Sequence, residues 1–180
     1  MRILAALGLA ALLLAGGCTE QEEAAAPAPF SLTEEAIGRY CGMNVLEHDG
    51  PKGQVILSHI PEPIWFSSAR DAVAFTLLPE EPKNIAAVYV SDMGAAPSWE
   101  HPGADNWVDA HRAFYVIGSR RLGGMGAAET VPFASEATAR DFAAEHGGAV
   151  VGFADIPAGY VLGSGGDEQP AATPATHAGH

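Results

Sequence analysis

The chain has 180 residues, 48% of them apolar and 17% charged, with two cysteines and a formal charge of −13. That length fits one modest domain with tails. Nine Lys plus Arg against 22 Asp plus Glu leave no basic stripe for a phosphate backbone. No apolar run reaches the ~20 residues of a membrane-spanning helix, and two cysteines cannot build a disulfide scaffold.

The chain opens with Met1 and Arg2 as a positive start, an apolar stretch from Ile3 to Ala15, and Ala15-Gly16-Gly17 directly before Cys18. This pattern reads as a secretory signal. Ala-Gly-Gly-Cys is similar to the lipobox of bacterial lipoproteins, with Ala15 where Leu is commoner. The expectation is a signal peptide over residues 1–17, cleavage before Cys18, and lipid on its sulfur. Two or more acyl chains, at ~0.8 kcal/mol per buried methylene, suffice for stable attachment. By analogy with sorting rules, Thr19 in place of an acid favours the outer membrane over the inner one. Residues 18–35 then read as the lipidated cysteine and a flexible acidic linker rich in Ala and Pro. Residues 36–163, with 15 acidic and 8 basic side chains, form the domain, and residues 164–180 a disordered tail.

Within the domain, Gln54 to Ser58 is β-rich and bounded by Gly53 and Pro61, which predicts a strand. Ser67 or Ser68 caps a helix that runs to about Leu78 and is stopped by Pro79. Ile85 to Val90 and Ala113 to Ser119 predict two further strands. Ser135 starts a second helix to His146, ended by Gly147-Gly148, and Val150 to Phe153 closes the set. The two helical units are alike: Trp65-Phe66-Ser67-Ser68 leading to Phe75 matches Pro132-Phe133-Ala134-Ser135 leading to Phe142. The expected fold is α+β, with two related ββαβ-type units whose helices pack on a mostly antiparallel sheet.

Chemistry concentrates at Cys41-Gly42-Met43. With Cys18 lipidated, Cys41 has no partner within the chain, and a lone thiol in an oxidising compartment is a candidate ligand or nucleophile. In an extended segment residues i and i+2 share a face, so Cys41 and Met43 would present thiolate and thioether together. That soft pair favours Cu(I) over Zn(II), Ca(II) or Mg(II). His48, just before the turn signal Asp49-Gly50-Pro51, is the candidate third ligand. Met125 in a glycine-rich loop offers a mobile thioether. Each has a plainer alternative: Cys and Met also serve as core, and His48 could be a surface turn residue. His59 and Met93 read as strand-end and packing residues, and His177 and His180 as tail residues with a loose metal role at most.

Hydrolase and nucleotide-binding motifs are absent: no Gly-x-Ser-x-Gly, His-Glu-x-x-His, Walker loop or Gly-x-Gly-x-x-Gly occurs. A Cys41/His48 nucleophile pair lacks an identifiable orienting group. Cleavage of organomercurials would want paired thiols, and Cys41 stands alone in the domain. The competing non-enzymatic reading is a lipid-anchored protein–protein interaction module with no metal role.

Cys41-Gly42-Met43, Glu47 to Gln54, Trp65 to Asp71, Tyr115 to Ser119, Gly124-Met125-Gly126 and Val131-Pro132-Phe133, in that order, resemble the NosL family. Its members are copper-binding lipoproteins of nitrous oxide reductase maturation. The resemblance spans residues 40–162. It implies a non-enzymatic, envelope-facing metallochaperone that carries Cu(I) toward the copper-sulfide centre of the reductase. It further implies a duplicated ββαβ fold, and metal ligands at Cys41, Met43, His48 and Met125. The partners implied are an ABC-type transporter with its periplasmic subunit, and the reductase itself.

Overall fold

The computed structural model describes residues 25–163. The signal segment, Cys18, and the tail with His177 and His180 lie outside them. Among the described residues, no helix is long and apolar enough to cross a membrane.

Strand β1 (Gly53–Leu57) pairs antiparallel with β2 (Ile64–Phe66) on one side and with β3 (Ile85–Ser91) on the other. Helix α1 (Ala69–Leu77) connects β2 to β3. A short strand β4 (Trp107–Asp109) extends the sheet beyond β3, giving the order β2-β1-β3-β4. The second half repeats the plan. Strand β5 (Phe114–Ile117) lies between β6 (Val131–Phe133) and β7 (Ala149–Gly152), with α2 (Glu136–His146) joining the last two. A final short helix, α3 (Ala158–Leu162), packs on α1.

The fold is thus α+β, built from two ββαβ units, and every strand pairing is antiparallel. The duplication expected from the paired phenylalanines is present. Phe66 and Phe133 each end the second strand of their unit, and Ser68 and Ser135 are the N-cap residues of α1 and α2. Instead of one sheet there are two, of four and three strands. Alternation along the strands explains the layering. Val55, Leu57, Val88 and Val90 face α1, while Tyr115 of the second sheet reaches the same core from the far side. Val116 and Phe133 point the other way, toward α2. Helix α1 therefore lies between the sheets, and Gly53 lets it come close, since a Cβ there would stand 2.4 Å from that of Ala72.

The outer face of the first sheet is covered by the segment that precedes it. The Phe30 amide donates to Oε1 of the buried Gln54, whose Nε2 donates back to the Phe30 carbonyl. The Tyr89 hydroxyl donates to the Pro27 carbonyl. Leu32 and Ala36 pack with Val45 against Trp65 and Trp107. The end of the segment expected to be a free linker is therefore docked. A polar Gln54 at the centre of a sheet has to be satisfied, and this stretch of backbone does it.

Candidate metal centre

Cys41 sits on a tight hairpin, not in an extended strand as expected. Ile37 and Asn44 bridge antiparallel, the Gly38 amide donates to the Met43 carbonyl at 2.9 Å, and the Gly42 amide donates to the Gly38 carbonyl at 2.9 Å. Gly42 closes the turn at φ +67°, in open space, a conformation glycine adopts without a steric penalty. The sulfur-bearing side chains of Cys41 and Met43 are thus presented by a turn, and the alternation argument does not apply to them. The hairpin is fixed to the edge of β2 by the Arg39 amide donating to the Trp65 carbonyl at 2.8 Å.

This anchoring aims Cys41 at the start of α1. Its Sγ lies 3.4 Å from Oγ of Ser67 and 3.9 Å from Nε2 of His48. Cys41 is a free thiol of intermediate exposure. His48 follows a single 3-10 turn, Val45–Glu47, and is 7% exposed, so it is not the surface turn histidine that sequence alone allowed. Bonds of about 2.3 Å to sulfur and about 2.0 Å to imidazole nitrogen are typical of a first-row ion. Together they span more than the observed separation, so one ion can bridge this pair without backbone movement.

The loop between β5 and β6 packs on the His48–Asp49 backbone. Its Gly124 amide donates to the Asp49 carbonyl at 3.0 Å, and a Cβ at Gly124 would meet the Asp49 nitrogen and the His48 Cβ. The glycine seats the loop on the histidine segment and holds the next residue, Met125, beside it. Met125 is 56% exposed and Met43 39%. Among the described residues, no three His, Cys, Asp or Glu side chains converge. Of the four predicted ligands, the structure brings Cys41 and His48 together, whereas Met43 and Met125 lie exposed on the two flanking segments. Met93 packs beside Phe133 and Ala139, and His59 lies in an exposed turn after β1 at φ +67°; neither joins the group.

Three buried polar residues beneath the site escape a motif search. Ser67 faces the thiol. Lys52, 1% exposed, extends its ammonium to the His48 carbonyl. Glu129, equally buried, accepts from Ser68 Oγ and from the backbone amides of Arg70 and Thr130, each at 2.8 Å. It takes up the orphan donors of the α1 N-terminus, where a carboxylate is favoured, so Ser68 spends its hydroxyl on Glu129 and not on a cap bond. Burial pushes the Glu129 carboxyl up to about 7 despite these donors. Burial likewise pushes Lys52 down to about 8, opposed by the neighbouring Glu129, Asp49 and Cys41. The available signal for these residues was weak: a lone lysine before a predicted strand, and a lone acid before Thr130-Val131.

The NosL family profile matches residues 29–161. The copper-binding lipoprotein NosL of Achromobacter cycloclastes is 48% identical over 154 residues, covering 85% of this chain and 79% of that protein. The copper-binding lipoprotein NosL of Stutzerimonas stutzeri is 35% identical, covering 99% of this chain and 97% of its own. Among solved structures, the crystal structure of the copper chaperone NosL from Shewanella denitrificans aligns with a TM-score of 0.66 at 32% identity. It covers 73% of this chain and 96% of that one. None of these names states a catalysed reaction. With a matched profile over most of the domain, two relatives above 30% identity and a shared fold, the chain belongs to the NosL family.

Proposed function

We propose that this chain is a copper-binding lipoprotein that holds Cu(I) at Cys41, His48, Met43 and Met125. It delivers the ion, without catalysing a reaction, for assembly of the copper-sulfide centre of nitrous oxide reductase. The observation that carries the reading is the approach of Cys41 Sγ to within 3.9 Å of His48 Nε2, under a methionine-bearing loop seated on the histidine segment. Thiolate, imidazole and thioether form a soft set that suits the monovalent ion. The names of the relatives above support copper as the cargo.

A carrier must also give its cargo up. Of the ten exposed large hydrophobics among the described residues, six lie on the two segments that flank the thiol: Ile37, Tyr40, Met43, Leu46, Leu122 and Met125. An apolar collar around a metal site suits transient docking on a protein. The partners in this reading are an ABC-type transporter with its periplasmic subunit, and the reductase. Lipid on Cys18 would hold the protein on the envelope membrane, facing the periplasm, with the outer membrane favoured by Thr19.

The test is anaerobic titration with Cu(I) against a chromophoric chelator, with a count of sulfur and nitrogen donors by X-ray absorption. One tightly held copper in the wild type, lost in Cys41→Ser, is expected, as is a copper-poor reductase in cells producing that variant. Equal copper binding by both proteins overturns the reading.

A further inference from the structure

Lys52 is almost wholly buried, yet none of the ligand roles above uses it. Its ammonium is hydrogen-bonded to the carbonyl of His48 itself, so a buried positive charge lies against the backbone of one ligand. Glu129 and Asp49 are the acids whose charge reaches it. Both Glu129 oxygens are engaged by Ser68, Arg70 and Thr130 at the start of α1, which spreads that charge over three donors.

A lysine of this kind is costly to bury. Packing alone would be served by a methionine of similar length. What an apolar side chain cannot supply is a positive charge next to the place where a cation binds. One thiolate neutralises a monocation but leaves a dication with a net positive charge. In a poorly screened site, a neighbouring ammonium repels that residual charge.

Building on the copper-carrier reading, we propose that Lys52 is a specificity-determining residue, whose buried positive charge behind His48 admits a monovalent ion to the thiolate site and disfavours a divalent one. The ligands select for softness and Lys52 selects for charge. The second filter matters because zinc also binds thiolate and imidazole.

The experiment measures Cu(I), Ag(I) and Zn(II) affinities by competition at neutral pH for the full-length protein, Lys52→Gln, Lys52→Arg and the double variant Lys52→Met/Glu129→Gln. Glutamine keeps a donor for the His48 carbonyl, arginine keeps the charge, and the double variant leaves no buried charge unpaired should the glutamine variant fold poorly. We expect the Zn(II)-to-Cu(I) affinity ratio to rise several-fold, up to about 10-fold, in Lys52→Gln and in the double variant, with the ratio restored by Lys52→Arg. The Ag(I)-to-Cu(I) ratio should stay constant, since both ions carry one charge. Any change in thiol acidity affects all three metals alike and cancels in the ratios. If the affinities for the three ions fall in parallel, or none of them changes, Lys52 is only a structural support and the inference is overturned. A wild-type protein that binds no Cu(I) would instead remove the copper reading, and this inference with it.

Discussion

Gly124 lies against His48 so closely that a Cβ at Gly124 would stand 2.8 Å from the histidine Cβ and 2.6 Å from the Asp49 nitrogen. Only glycine leaves the loop and the histidine segment in contact. Gly124→Ala should therefore lift Met125 away from His48. Overpacking against backbone costs about 1–3 kcal/mol, so urea unfolding should show a loss of that order, together with weaker Cu(I) binding. An unchanged affinity would mean that Met125 takes no part in holding the ion.

Met43→Leu separates chemistry from packing. The side chain is 39% exposed, so the substitution should alter stability by no more than about 0.5 kcal/mol while removing a thioether. Cu(I) affinity should drop and reductase maturation should slow. Normal values for both would reduce Met43 to a surface residue.

Two glycines of the hairpin should respond differently to alanine. At Gly38 the new Cβ would fall 2.6 Å from Cys41 Sγ and must displace the sulfur, so Gly38→Ala should weaken Cu(I) binding by about 10-fold or more. At Gly42 nothing lies within 4 Å, but φ is +67°. Gly42→Ala should destabilise the apo and loaded forms equally, by about 1 kcal/mol, and leave affinity nearly unchanged. Paired denaturation and titration experiments distinguish the two outcomes.

Two buried titratable groups, Glu129 and Lys52, predict how stability of the metal-free protein varies with pH. Glu129 titrates at about 7 in the fold against 4.5 when free, so the native state holds the extra proton in that window. Its contribution is complete below pH 4.5 and is lost as pH rises through 7. Burial shifts Asp71 in the same direction. Lys52 titrates at about 8 against 10.5, so the unfolded state binds more protons between those values. Its contribution is present above 10.5 and is lost as pH falls through 8. Denaturant unfolding should give a minimum between about pH 7 and 8, with the acid limb flattened in Glu129→Gln.

Much of the scaffold was legible because it follows period and punctuation. The helix from Ser68 to the residues before Pro79 and the one from Ser135 to Gly147 agree with α1 and α2 within a residue or two, and the IAAVYV strand with β3. Strands β2, β4 and β6 have three residues each, too few for alternation to register, and Pro132 obscures β6 further. The site was legible as a set of donor types but not as a shape. Cys41 and His48, seven residues apart, meet because the Ile37–Asn44 hairpin and the 3-10 turn after it fold the segment back on itself, a shape that donor spacing alone does not announce. Lys52, Ser67 and Glu129 stayed hidden because their roles arise from burial, which only the assembled layers create.

The docking of Pro27 and Phe30 onto Tyr89 and Gln54 also sets a radius of action. On the proposed attachment at Cys18, eight residues lie between the acylated cysteine and Pro27, a contour of at most about 32 Å. The thiol would sweep a thin shell above the lipid and search for its acceptor in two dimensions. Lengthening that leash with a glycine-serine insert should dilute the protein around membrane-bound acceptors without altering the site itself.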